Sequence, residues 1–171
     1  MNKQDIKSII PHVFTSANLV SGFLSIVLAI KHEFLFASLL IILAGMLDIL
    51  DGHVARWLKV SGELGKELDS LADSISFVVA PALVVYISLL KESTLGLIVG
   101  IVIVVCGVLR LAKFNLLKKL PYFMGLPTPW FAFIVVAFII LKIQLSQTIS
   151  ALLFLVLALL MVSRIKLPNF K

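Results

Sequence analysis

Four of the nine acidic residues, Asp48, Asp51, Asp69 and Asp73, lie within or beside long apolar stretches of a 171-residue chain. An aspartate at mid-membrane costs about 2.5–3.5 kcal/mol on insertion scales, so four deeply placed carboxylates would cost on the order of 10 kcal/mol unless compensated. Asp48 and Asp51 are spaced i, i+3, and Asp69 and Asp73 i, i+4, so each pair lines one face of a helix. The segment between the pairs is short and contains Ser61, Gly62 and Gly65. The two helices should therefore run antiparallel and bring all four carboxylates together. Hard divalent cations take oxygen ligands and cancel such charge, which points to a site for one or two ions, Mg²⁺ or Mn²⁺ by preference, open to the cytoplasm. Two other uses of the same acids stay open at this point: pairing with Arg56, Lys59 and Lys66, or an ion path through a transporter.

The elements that must carry these acids follow from composition. Hydrophobic residues make up 61% of the chain and charged residues 14%, which excludes a water-soluble globule with about 25% charged residues. Apolar runs near the length of about 20 residues that crosses a bilayer core fall at Phe14 to Ile30, Phe34 to Leu50, Leu71 to Leu90, Leu95 to Leu117, Thr128 to Leu141 and Thr148 to Ser163. The expected fold is all-α: a polytopic membrane protein with six transmembrane helices, forming a single domain over residues 1–171. Residues 1–10 are expected to form a short N-terminal amphipathic helix on the membrane surface, ending at Pro11, with Ile6, Ile9 and Ile10 on one side and Lys3, Asp5 and Lys7 elsewhere. The first apolar run follows Lys3 and Lys7 as in a signal peptide, but no small-residue cleavage pattern follows Ile30. Connections are a few residues long except around 57–68 and 118–127.

Charge sets the orientation. Of the 15 Lys and Arg residues, all but Lys31, Lys91 and Lys142 fall on one side of this topology, which places both termini, the two longer loops and the acidic site in the cytoplasm. The net charge of +6 is then explained by anionic lipid headgroups, and no nucleic acid partner is expected. Cys106 is the sole cysteine, which rules out an internal disulfide, an iron–sulfur site and thiolate zinc binding. His12 and His32 are expected at the interface, His53 as a bystander, and Trp57 and Trp130 as headgroup anchors. Gly96-Leu-Ile-Val-Gly100 is a small-residue helix-contact pattern that lends weak support to dimerisation.

As one string, Asp48-Ile-Leu-Asp51-Gly52-His-Val-Ala55-Arg56, eight residues, Gly65, three residues, Asp69, three residues, Asp73 resembles the signature of the CDP-alcohol phosphatidyltransferases, D-x-x-D-G-x-x-A-R-x8-G-x-x-x-D-x-x-x-D. Every fixed position is met at the right spacing. Three further segments resemble the integral-membrane phosphatidylserine synthase branch, the CDP-diacylglycerol:serine O-phosphatidyltransferases. They are Leu71 to Phe77 with Ala80-Pro81-Ala82, Arg110 to Asn115, and Phe123 to Pro129. Pro11 to Asn18 is also similar to that branch, except that His12 stands where asparagine is usual.

The resemblance implies a six-helix membrane enzyme, often a homodimer. It would transfer a phosphatidyl group from CDP-diacylglycerol, or a CDP-archaeol type lipid, to the hydroxyl of L-serine and release CMP. It implies two metal ions on Asp48, Asp51, Asp69 and Asp73, with Asp73 also the general base. Gly52, Arg56, Ser61, Gly62, Gly65 and Lys66 would shape the nucleotide and pyrophosphate mouth. For Gly52, tight helix packing is an equal alternative, and for Asn18 an interhelical hydrogen bond stands beside a nucleotide contact. Arg110 and Lys113, i, i+3 near the cytoplasmic end of the fourth span, with Asn115 and Thr128 close by, are the candidates for serine; Arg110 is first for its carboxylate, with snorkelling to headgroups as the alternative. A sister transferase using glycerol phosphate or inositol phosphate is the nearest rival. A divalent cation transporter would need acids continuing toward the outer face, and spans four to six contain none.

Overall fold

A backbone in hydrocarbon can satisfy its N–H and C=O groups only within itself, so long apolar segments become helices. The computed structural model describes the backbone of residues 3–58, 60, 62–91, 93–116, 123–163 and 166–167, and the side chains of that set apart from 3–9, 115–116, 123–124 and 166–167. The described residues form α1 (Lys3–Ile30), α2 (Phe34–Leu58), α3 (Glu63–Leu89), α4 (Thr94–Leu116), α5 (Thr128–Ile140) and α6 (Gln147–Val162). One two-residue antiparallel pairing joins β1 (Phe123–Met124) to β2 (Lys166–Leu167).

Ile10–Ile30, Phe34–Leu58, Glu63–Leu89 and Thr94–Phe114 are long and apolar enough to cross a membrane. The expected fifth and sixth spans are shorter, with 13 residues in α5 and 16 in α6. At 1.5 Å per residue these measure about 20 and 24 Å, against a hydrocarbon core of about 30 Å. The exterior is apolar, with Phe23, Phe36, Ile49, Ile101, Leu152 and Leu159 exposed, as suits a lipid surround.

Three boundaries differ from expectation. The surface helix does not end at Pro11: α1 runs through it. Proline removes one N–H, and the Lys7 carbonyl left without that donor lies before the apolar window, which begins at Ile10. Helix α2 continues past Leu50 to Leu58, and α3 begins at Glu63 rather than Leu71, so the expected 57–68 loop contracts to 59–62. Hydropathy marks where a helix leaves lipid, while the backbone goes on helically wherever polar side chains have a wet or functional face to occupy.

Helix α3 is π-helical over Ser74–Val79 and Val85–Leu89, with the Ala80 N–H bonded to the Ile75 carbonyl and Leu90 N–H to Val85. Pro81 has no N–H and its ring crowds the carbonyl of Phe77, so the wider turn absorbs a helix interruption just after Asp73. Against this stretch α1 presents Gly22. A Cβ there would strike the Ser76 hydroxyl and come within 2.8 Å of Ser76 Cα, so only glycine permits the approach. The Ser76 hydroxyl donates to the Asn18 carbonyl at 3.0 Å and Ser25 to the Ala37 carbonyl at 2.9 Å, tying α1 to α3 and α2.

Buried Phe77, Phe131 and Phe154 anchor the core, the last two packed edge to face. Gly96 and Gly100 are engaged inside the chain: a Cβ at Gly96 would lie 2.7 Å from Leu90 Cβ, and one at Gly100 3.8 Å from Tyr86 Cβ. The turns after α1, α3 and α5 each use a non-glycine residue at positive φ, His32 at 61°, Lys91 at 48° and Lys142 at 51°.

Gly22→Ala should therefore lower unfolding stability in detergent by about 1–3 kcal/mol. Gly100→Ala, with only an ordinary contact to accommodate, should leave stability unchanged or raise it by about 0.5–1 kcal/mol. Thermal midpoints of the two purified variants distinguish these outcomes.

Candidate active site

The short 59–62 connection folds α3 back beside α2, so Asp48 and Asp51 of one face Asp69 of the other. Asp48, Asp51 and Asp69 each offer an oxygen within 4.8 Å of the others. Asp73 stands one turn farther along α3, outside that trio but within electrostatic reach of Asp48 and Asp69. The structure thus resolves the four expected carboxylates into a close group of three and a fourth beside it.

Helix α1 forms the third wall. The Thr15 hydroxyl donates to Asp51 Oδ2 at 2.7 Å, and Asn18 Nδ2 donates to Asp73 Oδ1 at 3.3 Å. Thr15, Asn18 and Asp51 are all buried. Asn18 therefore meets an acid of the motif, the interhelical alternative, and its buried Oδ1 has no hydrogen-bond partner among the described residues. Thr15 was absent from the candidates drawn from sequence. The available signal was a Thr-x-x-Asn spacing of i, i+3, one face of an otherwise apolar span.

The hydroxyl and amide that α1 sends to these acids are neutral and carry no charge of their own. Three carboxylates at this separation form an all-oxygen donor set with no thiolate or imidazole in it. That chemistry fits a hard divalent cation.

Around this centre the other candidates divide. Arg56 is exposed and lies along its own helix, with Nε donating to the Gly52 carbonyl at 2.9 Å. Its Nη2 is 3.4 Å from His53 Nδ1, so His53 is in contact with a motif residue. A Cβ on Gly52 would meet only Arg56 Nη2, at 4.0 Å, and one on Gly62 would meet nothing within 4 Å. Helix packing does not account for glycine at Gly52; the space in front of it is open and bordered by a guanidinium. Gly65 does pack, since a Cβ there would lie 3.2 Å from His12 Cε1, which places His12 against the motif. Lys66 is exposed, and Ser61 lies outside the described residues.

On α4, Arg110 is buried, donates from Nη1 to Thr128 Oγ1 at 3.1 Å, and lies within electrostatic reach of Asp73. Its buried Nε has no hydrogen-bond partner among the described residues. Lys113 is exposed and does not join this pair; the Asn115 side chain lies outside the described set. Of the four candidates for serine, Arg110 and Thr128 come together.

The chain belongs to the CDP-alcohol phosphatidyltransferase family, which matches residues 8–163. A CDP-diacylglycerol--serine O-phosphatidyltransferase of Bacillus subtilis is 37% identical over 164 residues, 95% of this chain and 91% of that protein. The archaetidylserine synthase of Methanothermobacter thermautotrophicus is 38% identical over 175 aligned positions, 99% of this chain and 74% of the relative. A CDP-diacylglycerol--serine O-phosphatidyltransferase of Mycobacterium tuberculosis is 37% identical over 147 residues, 81% of this chain, and the chain spans about half of its length, 51%. Family membership and four long apolar helices make this a multi-pass membrane protein.

Replacing one acid of the trio should relieve repulsion when no cation is supplied. Asp51→Asn keeps an oxygen that can accept from Thr15, so its thermal midpoint in chelator should equal or exceed that of the unsubstituted chain. The stabilisation by Mg²⁺ expected of the latter, about 2.7 kcal/mol at a hundred times Kd, should disappear in the variant.

Proposed function

We propose that the protein is a phosphatidylserine synthase, transferring the phosphatidyl group of CDP-diacylglycerol, or of a CDP-archaeol type lipid, to L-serine with release of CMP. The observation that carries this reading is the division of the acids into Asp48, Asp51 and Asp69 on one hand and Asp73, held separately by Asn18, on the other. The relatives named for serine transfer support it.

Two divalent cations, Mg²⁺ or Mn²⁺, held by Asp48, Asp51, Asp69 and Asp73, would supply charge neutralisation at the pyrophosphate and on the departing CMP. Arg56 contributes a fixed positive charge beside the open face of Gly52, with Ser61, Gly62, Gly65 and Lys66 completing the nucleotide mouth. Arg110, steadied by Thr128, has an Nε without a partner among the described residues to offer the serine carboxylate. Asn18 engages Asp73 Oδ1, which leaves Oδ2 to take the proton from the serine hydroxyl. The serine oxygen then forms its bond to the phosphorus bearing the diacylglycerol as the bond from that phosphorus to the CMP oxygen breaks. No Ser-His or Cys-His pair is apparent in the sequence to support a covalent enzyme intermediate, and we assign direct displacement.

We further propose that residues 1–171 form one membrane domain in which α5 and α6 complete six spans, with both termini and the site facing the cytoplasm. The part of α1 before Ile10, from Lys3 on, lies along the membrane surface. The working form is a homodimer.

CDP-diacylglycerol supplied in parallel with labelled serine, glycerol 3-phosphate and inositol 1-phosphate should label lipid from serine alone, and EDTA should abolish it. Lipid labelled from glycerol 3-phosphate but not from serine would overturn the substrate assignment. Asp73→Asn should lower kcat about 10²–10⁴-fold. Arg110→Lys should raise the KM for serine about tenfold or more with a smaller change in kcat, because ammonium cannot reproduce the guanidinium fork.

A further inference from the structure

Thr15 has no part in the mechanism above, yet its hydroxyl is the described group that touches the acidic trio from α1. The residue is 3% exposed. Its single hydroxyl proton has two acceptors in reach, Asp51 Oδ2 at 2.7 Å and the Pro11 carbonyl at 3.1 Å. A helical threonine commonly bonds back to the carbonyl four residues earlier. Here that carbonyl already accepts the helical N–H of Thr15, and the carboxylate is both nearer and charged, so the proton belongs to Asp51.

The consequence is geometric. Asp51 comes from α2, where the Gly52 backbone also bonds its carboxylate; the buried Thr15 donor adds a hold from a neighbouring helix on Oδ2 and so orients the other oxygen. The anchor is itself fixed, because Gly22 and the Ser76 bond to Asn18 hold α1 against α3 within two turns of Thr15.

We infer that Thr15 is a positioning residue that sets the affinity of the acidic trio for its divalent cation by orienting Asp51. This rests on the reading of Asp48, Asp51 and Asp69 as metal ligands. Partners of this kind, which bond to a ligand rather than to the ion, typically change metal affinity 10–100-fold when removed.

The test is Mn²⁺ titration of the full chain in detergent, followed by the loss of the free-ion paramagnetic resonance signal, with no lipid or serine present. Thr15→Val keeps the shape and removes the hydroxyl; its Kd for Mn²⁺ should rise about tenfold. Thr15→Ser restores the hydroxyl and should bind within about threefold of the unsubstituted chain. In assays the Val variant should show a raised Mn²⁺ requirement while its KM for serine stays unchanged. If Thr15→Val does not yield a monodisperse protein, Thr15→Ala, which adds no atoms, carries the same comparison. Equal Mn²⁺ affinity in the folded hydroxyl-free variant and the unsubstituted chain would overturn the role of Thr15 and leave the metal reading standing. Absence of any Mn²⁺ binding that Asp51→Asn abolishes would overturn both.

Discussion

Like charges held close together, where little water can screen them, are the constraint on which this architecture depends. Asp48, Asp51 and Asp69 present oxygens within 4.8 Å of one another, and Asp73 adds a fourth carboxyl group nearby. Helices α2 and α3 alone would splay to relieve that repulsion. Helix α1 prevents it by pressing Gly22 onto Ser76 and by sending Thr15 and Asn18 to the acids. The groups that α1 contributes, a hydroxyl and an amide, are neutral, so this wall orients the carboxyl groups without bringing a charge of its own.

Much of this was legible because carboxylate spacing and helical periodicity speak the same language. The i, i+3 and i, i+4 spacings alone put Asp48 and Asp51, and Asp69 and Asp73, on single faces of two helices that a short connection turns toward each other. The helix ends were not legible. A hydropathy scan stops at charges, whereas α2 and α3 run on to Leu58 and back to Glu63 because their polar faces have somewhere to point. Pro11 marked a break that the backbone does not make, since the one lost hydrogen bond falls where the apolar span has not yet begun.

The remaining misses share a cause: a single chain pattern does not say which neighbour a residue faces. Arg110 and Lys113 are near each other on a helical wheel, yet i, i+3 still separates them by about 60° and about 4.5 Å. Near the end of a helix that is enough to put Arg110 against Thr128 and leave Lys113 exposed. Thr15 is an ordinary polar residue in an apolar run until α2 supplies Asp51. The Gly96 and Gly100 pattern is spent on the chain's own α3–α4 packing rather than on a free outer face.

The three tight turns at His32, Lys91 and Lys142 join α1 to α2, α3 to α4 and α5 to α6, at the end of the molecule away from the acids. They divide the chain into three helical hairpins, and the functional contacts sort by hairpin. Thr15 and Asp51 meet within the first, so that half of the acidic centre is locally determined. The approach of Asp69, the bond from Asn18 to Asp73 and the bond from Arg110 to Thr128 all cross from one hairpin to another. The cluster of acids and the buried Arg110–Thr128 pair thus exist in full only where all three hairpins are docked.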